Sequence, residues 1–99
     1  MSLLADMITQ EKSRIEKMID SYSKELESLP KGVLVKKNIG KNSYFYLQYR
    51  DGKKTVSTYI GKDEATIEVL QAQIKKRKHT EEMLKMLWAE HALAMKMEG

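Results

Sequence analysis

Tyr44-Phe45-Tyr46-Leu47-Gln48-Tyr49-Arg50-Asp51-Gly52, followed by Lys54-Thr55-Val56-Ser57-Thr58-Tyr59-Ile60-Gly61, decides the fold. Both runs are rich in aromatic and β-branched residues, which suit a pleated, half-buried surface. Asp51-Gly52 between them is a hairpin signal, because aspartate and glycine tolerate the backbone angles of a tight turn. Upstream, Val33-Leu34-Val35 opens another β-rich run that reaches Ile39, and Gly40-Lys41-Asn42-Ser43 supplies the turn into the tyrosine run. Residues 33–62 are thus expected to form a three-stranded antiparallel meander. Alternate side chains of a strand face opposite ways. One face then collects Phe45, Leu47, Tyr49, Val56, Thr58 and Ile60. The other collects Tyr44, Tyr46, Gln48, Arg50, Lys53, Thr55, Ser57 and Tyr59.

On either side of this sheet the period changes from two to between three and four. Leu4, Ile8, Ile15, Met18, Tyr22, Leu26 and Leu29 fall on one stripe, predicting a helix over residues 4–29 that Pro30 ends. Asp63 is suited to cap a second helical region over residues 63–97, with Ile67, Leu70 and Ile74 as its first apolar stripe. That region runs unbroken or bends near His79-Thr80, where Thr80 could cap a fresh helix. The expected fold is α+β: long helix, three-stranded meander, long helix, in one domain of 99 residues. Met1-Ser2-Leu3 and Glu98-Gly99 read as vector-derived ends.

Charge is distributed unevenly. Residues 31–62 hold Lys31, Lys36, Lys37, Lys41, Arg50, Lys53, Lys54 and Lys62 against Asp51 alone, a local excess of seven in a chain whose net charge is +4. Such a region repels itself unless solvent or an anionic partner screens it. A lysine-rich edge that keeps a small sheet from associating is the plainer explanation. With 41% hydrophobic and 32% charged residues the composition suits a small globular protein. No stretch approaches the roughly 20 apolar residues of a membrane span, and no basic-then-apolar leader opens the chain, so a cytoplasmic protein is expected. The absence of cysteine excludes disulfides, thiolate metal sites and cysteine nucleophiles.

The tyrosine-and-arginine face carries the functional expectation. Aromatic rings offer π-faces to bases, glutamine and arginine can make paired hydrogen bonds to a base edge, and lysine and serine hold phosphates. Lys36, Lys37, Lys41, Tyr46, Gln48, Arg50, Lys53, Lys54, Thr55, Ser57, Tyr59 and Lys62 are the candidate nucleic-acid-binding residues. Tyrosines also stabilise exposed sheets through cross-strand pairs, and the N-terminal helix could cover this face and make the rings core; both alternatives stay open here.

The hairpin together with Ser57-Thr58-Tyr59-Ile60-Gly61-Lys62-Asp63-Glu64-Ala65 resembles two groups. One is a set of short bacterial proteins, without an assigned activity, that share the Leu29-Pro30-Lys31-Gly32 lead-in, a tyrosine-rich hairpin and a charged C-terminal helix; this resemblance covers most of the chain. The other is the arm-site DNA-binding domain of tyrosine-family phage and transposon integrases, similar over about residues 35–75. There a three-stranded sheet packed on one helix places its exposed face in the major groove. That resemblance implies a groove-facing role for Tyr46, Gln48, Arg50, Thr55, Ser57 and Tyr59. The chain departs from the family in lacking a recombinase catalytic domain and in adding the long N-terminal helix.

Little else suggests chemistry. His79 and His91 are twelve apart, the carboxylates mostly neighbour lysines, and Gly40 and Gly52 are turn glycines. No enzyme, metal, cofactor or small-molecule substrate is expected. Lys75-Lys76-Arg77-Lys78 could touch phosphate or an acidic partner; a solvated helix explains it equally well, since four consecutive residues point all round a helix. Met83, Leu84, Leu87, Trp88 and Met95 form a broad apolar face that packs on the N-terminal helix of the same chain or on a second copy. They are the candidate dimer interface, and a homodimer is expected from the small size of the domain. The expected function is a small non-enzymatic nucleic-acid-binding or accessory protein with DNA as partner. The alternative is a helical dimerisation or protein-interaction module.

Overall fold

A computed structural model describes residues 2–98. Met1 and Gly99, the outermost of the ends read as vector-derived, lie outside the described residues. Element order is α1 (Leu3–Glu27), β1 (Val33–Ile39), β2 (Asn42–Asp51), β3 (Lys54–Gly61) and α2 (Glu64–Glu98). This is the α+β helix–meander–helix arrangement expected from the hydrophobic periods.

The N-terminus of α1 is capped by Ser2, whose hydroxyl accepts from the Ala5 amide. The helix stops two residues short of the expected boundary at Leu29. Ser28 donates its amide and its hydroxyl to the Glu25 carbonyl, at 3.1 and 2.8 Å. Pro30 then bars helical geometry from Leu29, so the carbonyl of Leu29 is free to accept from Arg77 Nη1 at 2.7 Å.

The sheet order is β1-β2-β3, antiparallel throughout. The first turn is shorter than its turn residues suggest, and the second is displaced by one residue. Ile39 pairs with Asn42 and Asp51 with Lys54, so Asn42, Ser43 and Asp51 belong to strands and only Gly40-Lys41 and Gly52-Lys53 cross over. Each glycine occupies the first central position with positive φ (64° and 63°), while the lysine after it keeps negative φ. That is the pattern of a type II′ turn, whose twist matches the flanking strands.

α2 is one uninterrupted helix of 35 residues. It continues without interruption through His79-Thr80, and Thr80, far from capping a new helix, is the least exposed of the described residues at 2%. Asp63 does cap the start: its Oδ2 accepts from Thr66 Oγ1 at 2.7 Å and from the Thr66 amide at 3.4 Å. The Thr66 hydroxyl first, and its amide second, hold the Asp63 carboxyl below its ordinary value. A depressed carboxylate stabilises the fold fully above its unfolded value and loses that contribution as pH falls through the folded value. Protection of the Thr66 and Ile67 amides relative to their intrinsic exchange rates is therefore expected to fall selectively in acid, below about pH 4. Asp63→Ala should exchange fast at all pH values, and equal acid sensitivity in that variant would refute the assignment.

The chain forms two compact units. The first comprises residues 1–28 and 78–99, in which α1 lies along the C-terminal part of α2. Its core is a narrow seam of Ile15, Ile19 and Leu87, with Met18, Tyr22 and Leu84 packed against it. Ala94 and Thr80 are also buried in this unit. The second, residues 29–77, holds the sheet and the first turns of α2. Here Ile67 is the buried hydrophobic residue, and Ile60 of β3 lines a groove with Val69, Leu70 and Gln73 of α2. No helix is long and apolar enough to cross a membrane, among the described residues.

Candidate nucleic-acid interface

The register settles which candidate residues share a face. Tyr46 lies opposite Tyr59, Gln48 opposite Ser57 and Arg50 opposite Thr55. On the other side of β2, Tyr44 lies opposite Lys37, Tyr46 opposite Val35 and Gln48 opposite Val33. Tyr46, Gln48, Arg50, Thr55, Ser57 and Tyr59 therefore stand together with Lys37 on one face. This is the alternation read from the sequence, preserved because the β2–β3 loop is two residues long. A shift of register falls between Phe45 and Tyr46, beyond the Arg50–Gln48 segment.

The remaining lysines are arranged around this face. Lys36 has the opposite parity, facing Phe45 across β1–β2. Lys41 and Lys53 sit in the two turns, Lys54 pairs in register with Asp51, and Lys62 follows β3. All of these, and Arg50, are exposed. Among the described residues, no ion pair engages a lysine or arginine between 31 and 62. The pairs Lys12–Glu98, Arg14–Glu11, Lys24–Asp20 and His91–Glu16 all lie in the helical unit. The eight cations of the segment are thus exposed to solvent with Asp51 as their one local acid.

The rings are organised as a cluster. Tyr59 meets Tyr46 at 5.5 Å between centroids and Tyr44 at 6.3 Å, both tilted. Lys37 Nζ lies 4.6 Å from the Tyr46 centroid, within cation–π range. This arrangement divides the roles differently from the sequence reading. Tyr46 is half-buried and one of its faces is occupied by Lys37, whereas Tyr59 is 58% exposed and presents a ring to solvent. Tyr44, absent from the candidate binding set, belongs to the cluster; its shared parity with Tyr46 was the available signal.

Beyond the first residue of β1, at the Val33–Gln48 pair, β2 continues toward Asp51 with β3 as its one strand partner. An open groove of about 450 Å³ occupies this notch, lined by Lys31, Val33, Gln48, Tyr49, Arg50 and Thr55. Lys31 Nζ lies 5.8 Å from the Tyr49 centroid. Lys31 belongs to the charge excess and to the Leu29–Gly32 lead-in but not to the candidate binding set, and only the fold brings it to the same groove as Arg50.

The candidate dimer residues separate into two groups. Leu87 is buried in the same-chain seam, Leu84 packs against it and Met83 is half-buried, while Trp88 and Met95 are exposed at 56% and 55%. Trp88 meets His91 edge-on at 5.6 Å, and His91 Nε2 is 3.6 Å from Glu16 Oε1. Among the described residues, no three histidine, aspartate or glutamate side chains come together as a metal site.

The molecule is a helix–meander–helix α+β protein with a cationic, tyrosine-bearing sheet. A family model described as a domain of unknown function (DUF6788) matches residues 8–69, from α1 through the whole sheet to the first turns of α2. The chain belongs to that family. No curated protein and no solved structure matches it.

Proposed function

We propose that this chain is a non-enzymatic nucleic-acid-binding protein of the cytoplasm whose contact surface is the Tyr46–Arg50–Tyr59 face of the sheet. One observation carries the reading: an excess of seven positive charges over residues 31–62, exposed and without an ion pair among the described residues. Unpaired cations on a small sheet repel one another, and a polyanion relieves that repulsion while releasing its condensed counterions. Lysines of the two turns and Lys62 meet phosphates. Arg50, Gln48 and Ser57 reach base edges, and Tyr59 supplies an exposed ring. The resemblance to integrase arm-site domains assigns the same face to a DNA major groove, so DNA is the partner proposed.

Fluorescence anisotropy with random-sequence DNA duplexes, DNA single strands and RNA tests this. Binding should fall linearly with log salt concentration. Replacing Lys41, Lys53, Lys54 and Lys62 by glutamine should lower the slope by about 3–4 for a duplex. Arg50→Ala should cost about 1–3 kcal/mol at a base contact. No binding at about 50 mM salt, or binding indifferent to salt, overturns the proposal.

A further inference from the structure

The helical unit is a layer of two helices with two dissimilar sides. On one side lie Glu16, Asp20, Ser23, Trp88 and His91, a mostly polar set. On the other, a groove of about 240 Å³ runs between α1 and α2, with Ile8, Ile15 and Ala94 among the residues that line it. Two apolar stripes flank it. Leu4 and Met7 of α1 are 65% and 56% exposed; Met86, Leu93 and Met97 of α2 are 62%, 53% and 58% exposed. Met86, Glu90, Leu93 and Met97 recur at steps of four, three and four, one continuous strip of helix surface. Glu11 and Glu90 are the two acids of the groove. Glu11 is already held by Arg14, which donates from Nε at 3.0 Å and keeps its carboxyl below the ordinary value.

We infer that this side is a homodimer interface in which two copies stack their helical layers into a four-helix bundle. A two-helix layer can bury only its seam, and a second layer 8–10 Å away is the usual way to cover the rest. The area is adequate. Five stripe side chains at on the order of 100 Å² each supply about 500 Å² of apolar surface per copy. With a polar rim this approaches the roughly 800 Å² per partner of a stable interface. The surface is also matched to itself. Groove and flanking stripes run along about 11 residues of α2, or about 17 Å, so a twofold axis sets the α1 stripe of one copy against the α2 stripe of the other. The unit has seven basic and ten acidic residues, so salt screens a mild repulsion between copies. Dimerisation should therefore hold or tighten with salt, the reverse of nucleic-acid binding, and it stands independently of that reading.

Sedimentation equilibrium of the full chain from about 1 to 500 μM tests the inference. The chain should be a dimer, and Met7→Lys with Leu93→Lys should weaken association by at least about 100-fold with helical circular dichroism retained, since both side chains are more than half exposed in one copy. Trp88→Lys with Met95→Lys, on the opposite side, should leave the dimer intact. A monomeric wild-type chain throughout that range overturns the inference. So does a dimer that survives Met7→Lys with Leu93→Lys, or one lost only on changing Trp88 and Met95.

Discussion

Gly32→Ala is expected to lower the stability of the sheet by about 2–4 kcal/mol. Gly32 has φ of 122°, a conformation costly for any residue with a side chain. The larger effect is the space it occupies. A Cβ built there would lie 2.4 Å from the carbonyl oxygen of Gln48 and 3.1 Å from Tyr49 Cβ. A backbone carbonyl inside a ladder cannot swing aside as a flexible side chain can, so β1 must move away from β2. The first casualty is the Val33–Gln48 pair, next to the notch that gathers Lys31 and Arg50. Four of the five tyrosines, Tyr44, Tyr46, Tyr49 and Tyr59, are in the sheet. Near-ultraviolet circular dichroism of tyrosine therefore reports this loss. A drop in its melting midpoint of about 10 °C or more is expected; an unchanged midpoint would show that β1 tolerates displacement here. The proposed salt-dependent binding to DNA should weaken in the same variant, because the cations are assembled by the register that Gly32 permits.

That glycine also marks the limit of what the sequence discloses. The alternation of Tyr44 to Arg50 and Thr55 to Tyr59 was enough to sort side chains onto two faces, because period two is local and survives any even-length turn. The two long helices were legible for the same reason at period 3.6. Boundaries were less so. The stop of α1 at Glu27 depends on Ser28 folding back onto Glu25, and the two-residue turns depend on glycine taking the first central position; both are choices among local hydrogen bonds that hydrophobic pattern does not register. Gly32 stands in the sequence as the last residue of the Leu29-Pro30-Lys31-Gly32 lead-in, and its close approach to β2 sixteen residues away has no local signal.

The candidate site divides along the same line. Membership of Tyr46, Gln48, Arg50, Thr55, Ser57 and Tyr59 on one face was readable, whereas the distribution of work among the rings was not. Lys37 covers Tyr46 because the β1–β2 register sets Lys37 beside Tyr44 and Val35 beside Tyr46, and that register had no sequence signal beyond turn length. The apolar C-terminal face reads as one surface, yet residues on one helix at different angular positions present several. Leu84 and Leu87 turn into the seam with α1, Trp88 and Met95 turn away from it, and Met86, Leu93 and Met97 form a third strip on the groove side. A wide apolar arc on one helix thus signalled more than one partner surface without saying which residue served which.

Ile15→Ala should destabilise the helical unit by about 2–4 kcal/mol, from lost transfer energy plus the cavity left behind. Ile15 is 3% exposed and belongs to a seam with two other buried members, Ile19 and Leu87. Truncating one of three leaves little for the remainder to close upon, and the void would open directly into the groove that Ile15 helps to line. Water entering there would separate α1 from α2 at the point where Met18 and Leu84 also pack. Trp88, the single tryptophan, lies one residue from Leu87 and is the natural reporter. Its fluorescence transition should fall by about 10 °C or more at fixed protein concentration, with tyrosine dichroism of the sheet less affected. Gln10→Ala, on the exposed side of α1, should stay within about 0.5 kcal/mol of wild type. If Ile15→Ala moved the tryptophan and tyrosine transitions equally, the separate cores of the two units would not be energetically separate, and the continuous helix α2 would have to be transmitting the loss.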